Sequence, residues 1–198
     1  MFRLVETIKL KDGKFYNLDL HNKRFNNTRE ALFKIKEHID LMDYLKIHRF
    51  DKSGLFKCRI VYSQDIHNIE FVPYAIRPVK FLKLVYASID YSYKYENRKD
   101  INSLFTLREN CDDILIVKDD DRLTDTSAAN IAFFDNDRWY TPSYPLLKGV
   151  KREMLLQSKT IFEEDLKVWD LKKFNKAAIF STMVDFGEII ISVSNIYY

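Results

Sequence analysis

Residues 124–152 read TDTSAANIAFFDNDRWYTPSYPLLKGVKR. Asp125 leads into a short polar run that ends at Asn130. An apolar strand follows over 131–134, then a turn, then Tyr140-Thr141-Pro142. The stretch closes on Leu147-Lys148-Gly149-Val150-Lys151-Arg152, which reads as a glycine opening a helix. The free amides and the dipole at a helix start favour an anion. The chain has only four glycines, so one at a strand-to-helix junction carries weight. Upstream, Lys94 sits in the aromatic run Tyr93-Lys94-Tyr95. The sequence thus supplies a carboxylate, a helix start of phosphate size and a distant lysine.

Bulk properties bound what these parts can serve. The 198 residues suffice for one large domain or two small ones. A net charge of +3, with basic residues dispersed among acidic ones, argues against a nucleic-acid partner. No run of 18 apolar residues is present, so no membrane span is expected. The opening MFRLVETIKLKDG lacks the apolar core of a signal peptide. Cys58 and Cys111 do not form a CxxC pair, so the expectation is a reducing cytoplasm with neither a disulfide framework nor a zinc site. His38, His48 and His67 lack metal-ligand spacing, and Asp119–Asp121 reads as a solvated turn. No metal is expected.

Along the chain, residues 3–10 predict a strand, Asp12-Gly13 a turn, and 15–18 a returning strand. Asn27-Thr28 predicts a cap for a helix over 29–35, and a second helix is expected over 37–45. Strands are expected over 56–63 and 68–72. Pro73 and Pro78 interrupt both helix and sheet, which places a domain boundary there. Beyond it, strands are expected over 81–87, 114–117, 131–134, 177–180 and 188–193. Helices are expected over 98–108, over 149–157 and starting at 162–166. The fold class is α+β: a small N-terminal α/β domain over 1–76 and a larger strand-rich domain over 77–198.

In this order the motifs resemble the class IV pyridoxal-phosphate enzymes, of fold type IV. That family includes branched-chain aminotransferase, D-amino-acid transaminase and aminodeoxychorismate lyase. Leu4-Val5-Glu6-Thr7-Ile8 with Asp12-Gly13 resembles the family's opening strand and turn, and His21-Asn22-Lys23-Arg24 its His-x-x-Arg. Tyr93-Lys94-Tyr95 with Asn97-Arg98 resembles the segment carrying the reactive lysine. Asp125 through Asn130-Ile131, Tyr140-Thr141-Pro142 and Leu147-x-Gly149-x-x-Arg152 complete the pattern. The YKY-x-x-R and TDTS-x-x-NI runs are similar to those of compact bacterial proteins described as 4-amino-4-deoxychorismate lyases.

The resemblance implies a D-amino-acid-aminotransferase-like fold with pyridoxal 5'-phosphate as cofactor. Lys94 would hold the cofactor covalently, and Asp125 would face its ring nitrogen, where the family usually has glutamate. The backbone amides of Gly149, Val150 and Lys151 would bind the phosphate, with Lys151 where threonine is common. Ser181 and Thr182 fall where the family places further phosphate-binding residues. Arg24 would reach the phosphate bidentately, and Asn130 belongs to the same pattern. His21 reads as structural. Arg77, at the boundary, is a candidate for a substrate carboxylate. The implied activity is a lyase releasing pyruvate and 4-aminobenzoate in folate biosynthesis. Transamination of D- or branched-chain amino acids is the alternative, and a degenerate, non-catalytic homologue is the alternative of another class. A small-molecule amine substrate and a homodimer are implied partners.

Overall fold

The computed structural model describes residues 2–51 and 53–198, in two compact units. The first holds the residues up to Ile76 together with Tyr93–Asn97; the second holds Arg77–Ser92 and Arg98–Tyr198. Among the described residues no helix is long and apolar enough to cross a membrane.

The first unit is built on β1 (Leu4–Lys11), whose residues are covered on both faces apart from its end. Asp12 and Gly13 both take positive φ, 48° and 78°, as a tight hairpin turn demands. The returning strand β2 is only Lys14–Phe15. The chain then enters α1 (Leu18–Phe33), eleven residues before the helix expected from Arg29. The buried face of α1 is His21, Phe25, Asn26, Thr28 and Arg29, so polar residues stand where an apolar stripe would have marked the helix. It ends on Lys34 in the left-handed conformation, with the Ile35 N–H reaching back to the Arg29 carbonyl at 3.4 Å.

The helix expected over 37–45 is confined to α2 (Leu41–Leu45). The residues before it are held irregular by side chains of α1. Asn26 bonds both the N–H and the carbonyl of Ile39, and Arg29 donates to the Glu37 carbonyl at 2.7 Å. Strands β3 (Leu55–Tyr62) and β4 (Ile66–Pro73) complete an antiparallel sheet of order β2-β1-β3-β4. Its core is Leu4, Ile8, Phe25, Leu41, Leu45, Cys58, Ile60 and Tyr62.

Tyr93–Asn97 joins this unit although both flanking segments belong to the other. Tyr95 bridges to Leu4, the Val5 N–H donates to the Lys94 carbonyl at 2.9 Å, and the Glu96 N–H donates to Arg3 at 2.9 Å. Glu96 is also paired with Arg59 at 2.8 Å and Arg3 at 3.3 Å. Lys94 is thereby fixed beside the strand that carries Glu6.

The second unit starts with β5 (Leu82–Tyr86), α3 (Lys99–Phe105) and a 3-10 turn over Thr106–Arg108. Next come β6 (Asp113–Val117), wholly buried, and β7 (Leu123–Thr126), which contains Asp125. A tight turn leads to β8 (Asn130–Phe134): the Thr126 hydroxyl accepts from the Ala129 N–H, and the Thr126 N–H donates to the Ala129 carbonyl. Then follow β9 (Trp139–Pro142) and α4 (Val150–Gln157), with Gly149 as its N-cap.

The helix expected from Phe162 is instead β10 (Phe162–Glu164), parallel to β9. Pairing with a sheet edge overrides the helical preference of its two glutamates. Strands β11 (Lys176–Phe180), β12 (Ile189–Ser192) and β13 (Ile196–Tyr197) follow. They form two sheets, β13-β5-β6-β7 and β10-β9-β8-β11-β12. Asp125 lies on the first sheet and Asn130 on the second, so the turn between them passes the chain from one sheet to the other.

Candidate active site

The candidate residues fall into two groups, one in each unit. In the first unit, His21 and Arg24 lie one helical turn apart on α1, facing β1. Between them is Glu6, fully buried and not singled out by the sequence. Arg24 donates from Nε to Glu6 Oε1 at 2.8 Å and from Nη2 to Oε2 at 2.6 Å; His21 Nδ1 lies 2.5 Å from the same Oε2. The bidentate grip expected of Arg24 is therefore spent on Glu6, through the Nε–Nη2 edge of the guanidinium.

Burial alone would raise the Glu6 pKa. The Arg24 charge and the hydrogen bonds of His21 and Arg24 outweigh it and hold the carboxyl at about 2. Burial lowers the pKa of His21, and the charges of Arg24 and Lys94 add to that, against the pull of Glu6. The neutral imidazole then donates from Nδ1 to the carboxylate, which leaves Nε2 as an acceptor. That Nε2 is buried without a partner among the described residues. The influence of Lys94 on His21 puts the lysine in the same electrostatic neighbourhood.

In the second unit the centre is Asp125, 5% exposed. Its Oδ1 accepts from Asn130 Nδ2 at 2.8 Å and its Oδ2 from the Leu147 N–H at 2.9 Å. Burial pushes its pKa up to about 6, against the lowering effect of those two donors and of the Arg152 charge. A carboxyl poised there gains from a cationic partner such as a protonated ring nitrogen. Asn130 also donates to the Leu147 carbonyl at 2.9 Å, and its Oδ1 would stand 2.1 Å from a Cβ on Gly149. Only glycine permits that approach. Asp125, Asn130 and the start of α4 are therefore brought together as the spacing implied.

Lys151 and Arg152 follow in the first turn of α4, both buried. Lys151 Nζ lies 2.5 Å from Asp185 Oδ1; Arg152 Nη2 bonds the Pro142 carbonyl at 2.9 Å and Glu163 Oε1 at 2.6 Å. Ser181 and Thr182 lie in the turn after β11 that also holds Asp185. Ser181 and Val184 exchange backbone bonds of 3.0 and 3.3 Å, and the Met183 N–H donates to Ser181 Oγ at 3.2 Å. Arg98 braces the turn between β7 and β8 by donating from Nη2 to the Ser127 carbonyl at 2.5 Å. Arg77, exposed, donates to the Asp112 carbonyl at 2.9 Å and lies over the Phe105 ring. Glu6 and Asp185 escaped the sequence reading. The one usable signal was an acid in the buried register of β1.

Within the second unit, a fully buried carboxylate with neutral donors on both oxygens and a helix start that excludes any Cβ are features a bound pyridoxal phosphate would use. The residues present fit that group.

Comparison with known proteins agrees. The family model for class IV aminotransferases matches residues 101–190. An uncharacterized protein of Haemophilus influenzae is 35% identical over 178 residues, covering 86% of this chain and 94% of its own. A crystal structure from Haemophilus somnus, provisionally described as a 4-amino-4-deoxychorismate lyase, is 31% identical with a TM-score of 0.86, over 93% of this chain and 97% of that one. A pyridoxal-phosphate-bound hypothetical aminotransferase from Mycobacterium tuberculosis shares the fold at 15% identity, with a TM-score of 0.75 over 98% of this chain and 81% of that one.

Two outcomes check this geometry. Glu6→Gln breaks a buried ion pair and should cost about 3 kcal/mol in urea unfolding. The Glu6 contribution is present above its unfolded pKa of 4.5 and is lost as pH falls toward about 2. The variant should therefore lose less stability than the native chain between those pH values; parallel acid-unfolding curves would contradict the assignment. Gly149→Ala should cost about 1–3 kcal/mol by overpacking, and combined with Asn130→Ala, itself destabilising through lost hydrogen bonds, it should cost less than the sum of the two. Additive effects of the two changes would show that the close approach is unimportant.

Proposed function

We propose that this chain, which belongs to the class IV aminotransferases and is a pyridoxal-phosphate-dependent enzyme, acts as a 4-amino-4-deoxychorismate lyase. The observation that carries the reading is the 31% identity, over nearly the whole of both chains, to the Haemophilus somnus protein of that provisional description. Folate biosynthesis in the cytoplasm is the setting that this activity implies.

Each residue has a distinct task in this reading. The cofactor, when bound, supplies an electron-withdrawing ring that stabilises negative charge on the substrate carbon next to the amine. Lys94 would hold it covalently, and the lysine amine would take the proton from that carbon. Asp125 would face the ring nitrogen and favour its protonated form. Its shorter side chain, where the family usually has glutamate, is held in place by Asn130 and the Leu147 amide. The backbone amides in the first turn of α4 would take the phosphate, while Arg24, given to Glu6, holds that carboxylate. In the substrate the ring C–O bond to the enolpyruvyl group would then break; the enolpyruvate leaves, takes up the proton removed from the ring to become pyruvate, and the ring becomes 4-aminobenzoate. No second substrate is consumed.

Transamination of D- or branched-chain amino acids is the second reading, since the matched family model is that of the class IV aminotransferases. One assay separates them. Given aminodeoxychorismate, the protein should release pyruvate and 4-aminobenzoate continuously with no keto acid added. Turnover that needs both an amino donor and a keto acceptor would move the assignment to transamination. Borohydride reduction after incubation with pyridoxal phosphate should leave a stable label on the Lys94 peptide; label on another lysine would overturn that role.

The chain is also taken to act as a homodimer. Light scattering should give twice the 23.7 kDa chain mass at micromolar concentration, and a strictly monomeric mass would count against it.

A further inference from the structure

We propose that the Lys151 side chain, and not only its backbone amide, binds the phosphate at the first turn of α4, with Asp185 as the counter-ion that holds it there beforehand. The proposal rests on the pyridoxal-phosphate reading above and adds a ligand to it.

The argument is one of charge. The first turn of a helix carries partial positive charge, so a cation there is disfavoured, and burial adds a desolvation cost. Lys151 is 9% exposed and Arg152 2% exposed, and both sit in that turn. Two buried cations at the positive end of one helix call for anions. The carboxylates that meet them are those of Asp185 and Glu163, whose side chains are 46% and 49% exposed and so are partly screened by solvent. Arg152 Nε is buried without a partner among the described residues. Gly149 offers no side chain to cap the turn. Glu153 lies in the same turn and the Arg152 charge also acts on the buried Asp125, so the cation least provided for is the Lys151 ammonium, met by the half-exposed Asp185.

Geometry supplies the rest. An ammonium has three N–H donors, and among the described residues Asp185 takes one of those of Lys151. Asp185 lies three residues beyond Thr182 in the same turn, so the lysine already spans from α4 to the segment carrying Ser181 and Thr182. A phosphate accepted by the amides of α4 and those hydroxyls would lie within reach of the remaining N–H groups.

The test compares dissociation constants, read by absorbance, for pyridoxal phosphate and for pyridoxal, which lacks the phosphate. Lys151→Met should weaken pyridoxal phosphate by about tenfold or more, the worth of a charge-assisted bond. It should leave pyridoxal within about twofold. Lys151→Arg should keep most of the discrimination, and Lys151→Gln serves in place of the methionine variant if that one does not fold. Asp185→Asn leaves the ammonium in place and should hold or raise the affinity for pyridoxal phosphate. Equal weakening of both ligands, or no change in either, overturns the role of Lys151. Asp185→Asn weakening as much as Lys151→Met would mean the pair is only a strap between two segments, and also overturns it. Failure of the unaltered protein to bind either ligand would instead sink the pyridoxal-phosphate reading, and this assignment with it.

Discussion

The side-chain amide of Asn130 is the constraint on which the candidate residues of the second unit depend. Its Nδ2 serves two acceptors, the Asp125 carboxylate and the Leu147 carbonyl, and its Oδ1 closes against Gly149. One group thus sets the orientation of the acid, the path of the chain before α4 and the residue allowed at the N-cap. Aspartate would bring a second negative charge beside Asp125, and an aliphatic residue would leave buried polar groups unpaired. The tight turn over 126–129 places this amide five residues after the acid and directly across from it.

Two buried acids in this protein meet opposite fates, and the difference is the charge beside them. Glu6 is desolvated as thoroughly as Asp125, but a guanidinium and an imidazole hold it charged. Asp125 has neutral donors on both oxygens and only the more distant Arg152 charge, so burial wins and its pKa rises. An acid satisfied within the chain is a structural part. An acid left wanting a cation suits the binding of something from outside.

What was legible in the sequence followed from how local each signal is. Asp125, Asn130 and Gly149 are defined by residue type at short spacing, and the structure brings them into contact. Lys94, His21 and Arg24 were found by order along the chain, and all three belong to the first unit. The start of α1 was hidden because its buried face carries His21, Asn26 and Arg29, which make hydrogen bonds where apolar packing is the usual mark of a helix. Strand β10 was hidden because pairing with β9 is not encoded in its own residues. The carboxylates of Glu6 and Asp185 were missed for the same reason: each acquires meaning from a partner far away in sequence, Arg24 in one case and Lys151 in the other.

The bridge between Leu4 and Tyr95 bears on how the chain assembles. The backbone of Lys94 completes a contact with the opening strand, but the rest of the first sheet lies between them in sequence. A ribosome releases β1 to β4 long before residue 95 emerges, so that sheet can form while the place for the Lys94 segment is still vacant. Closing so long a loop is entropically slow. A nascent chain halted after Ile76 would therefore carry the Glu6 cluster without the lysine. Completion of the first unit thus waits until about the middle of synthesis, although most of its residues are among the earliest made.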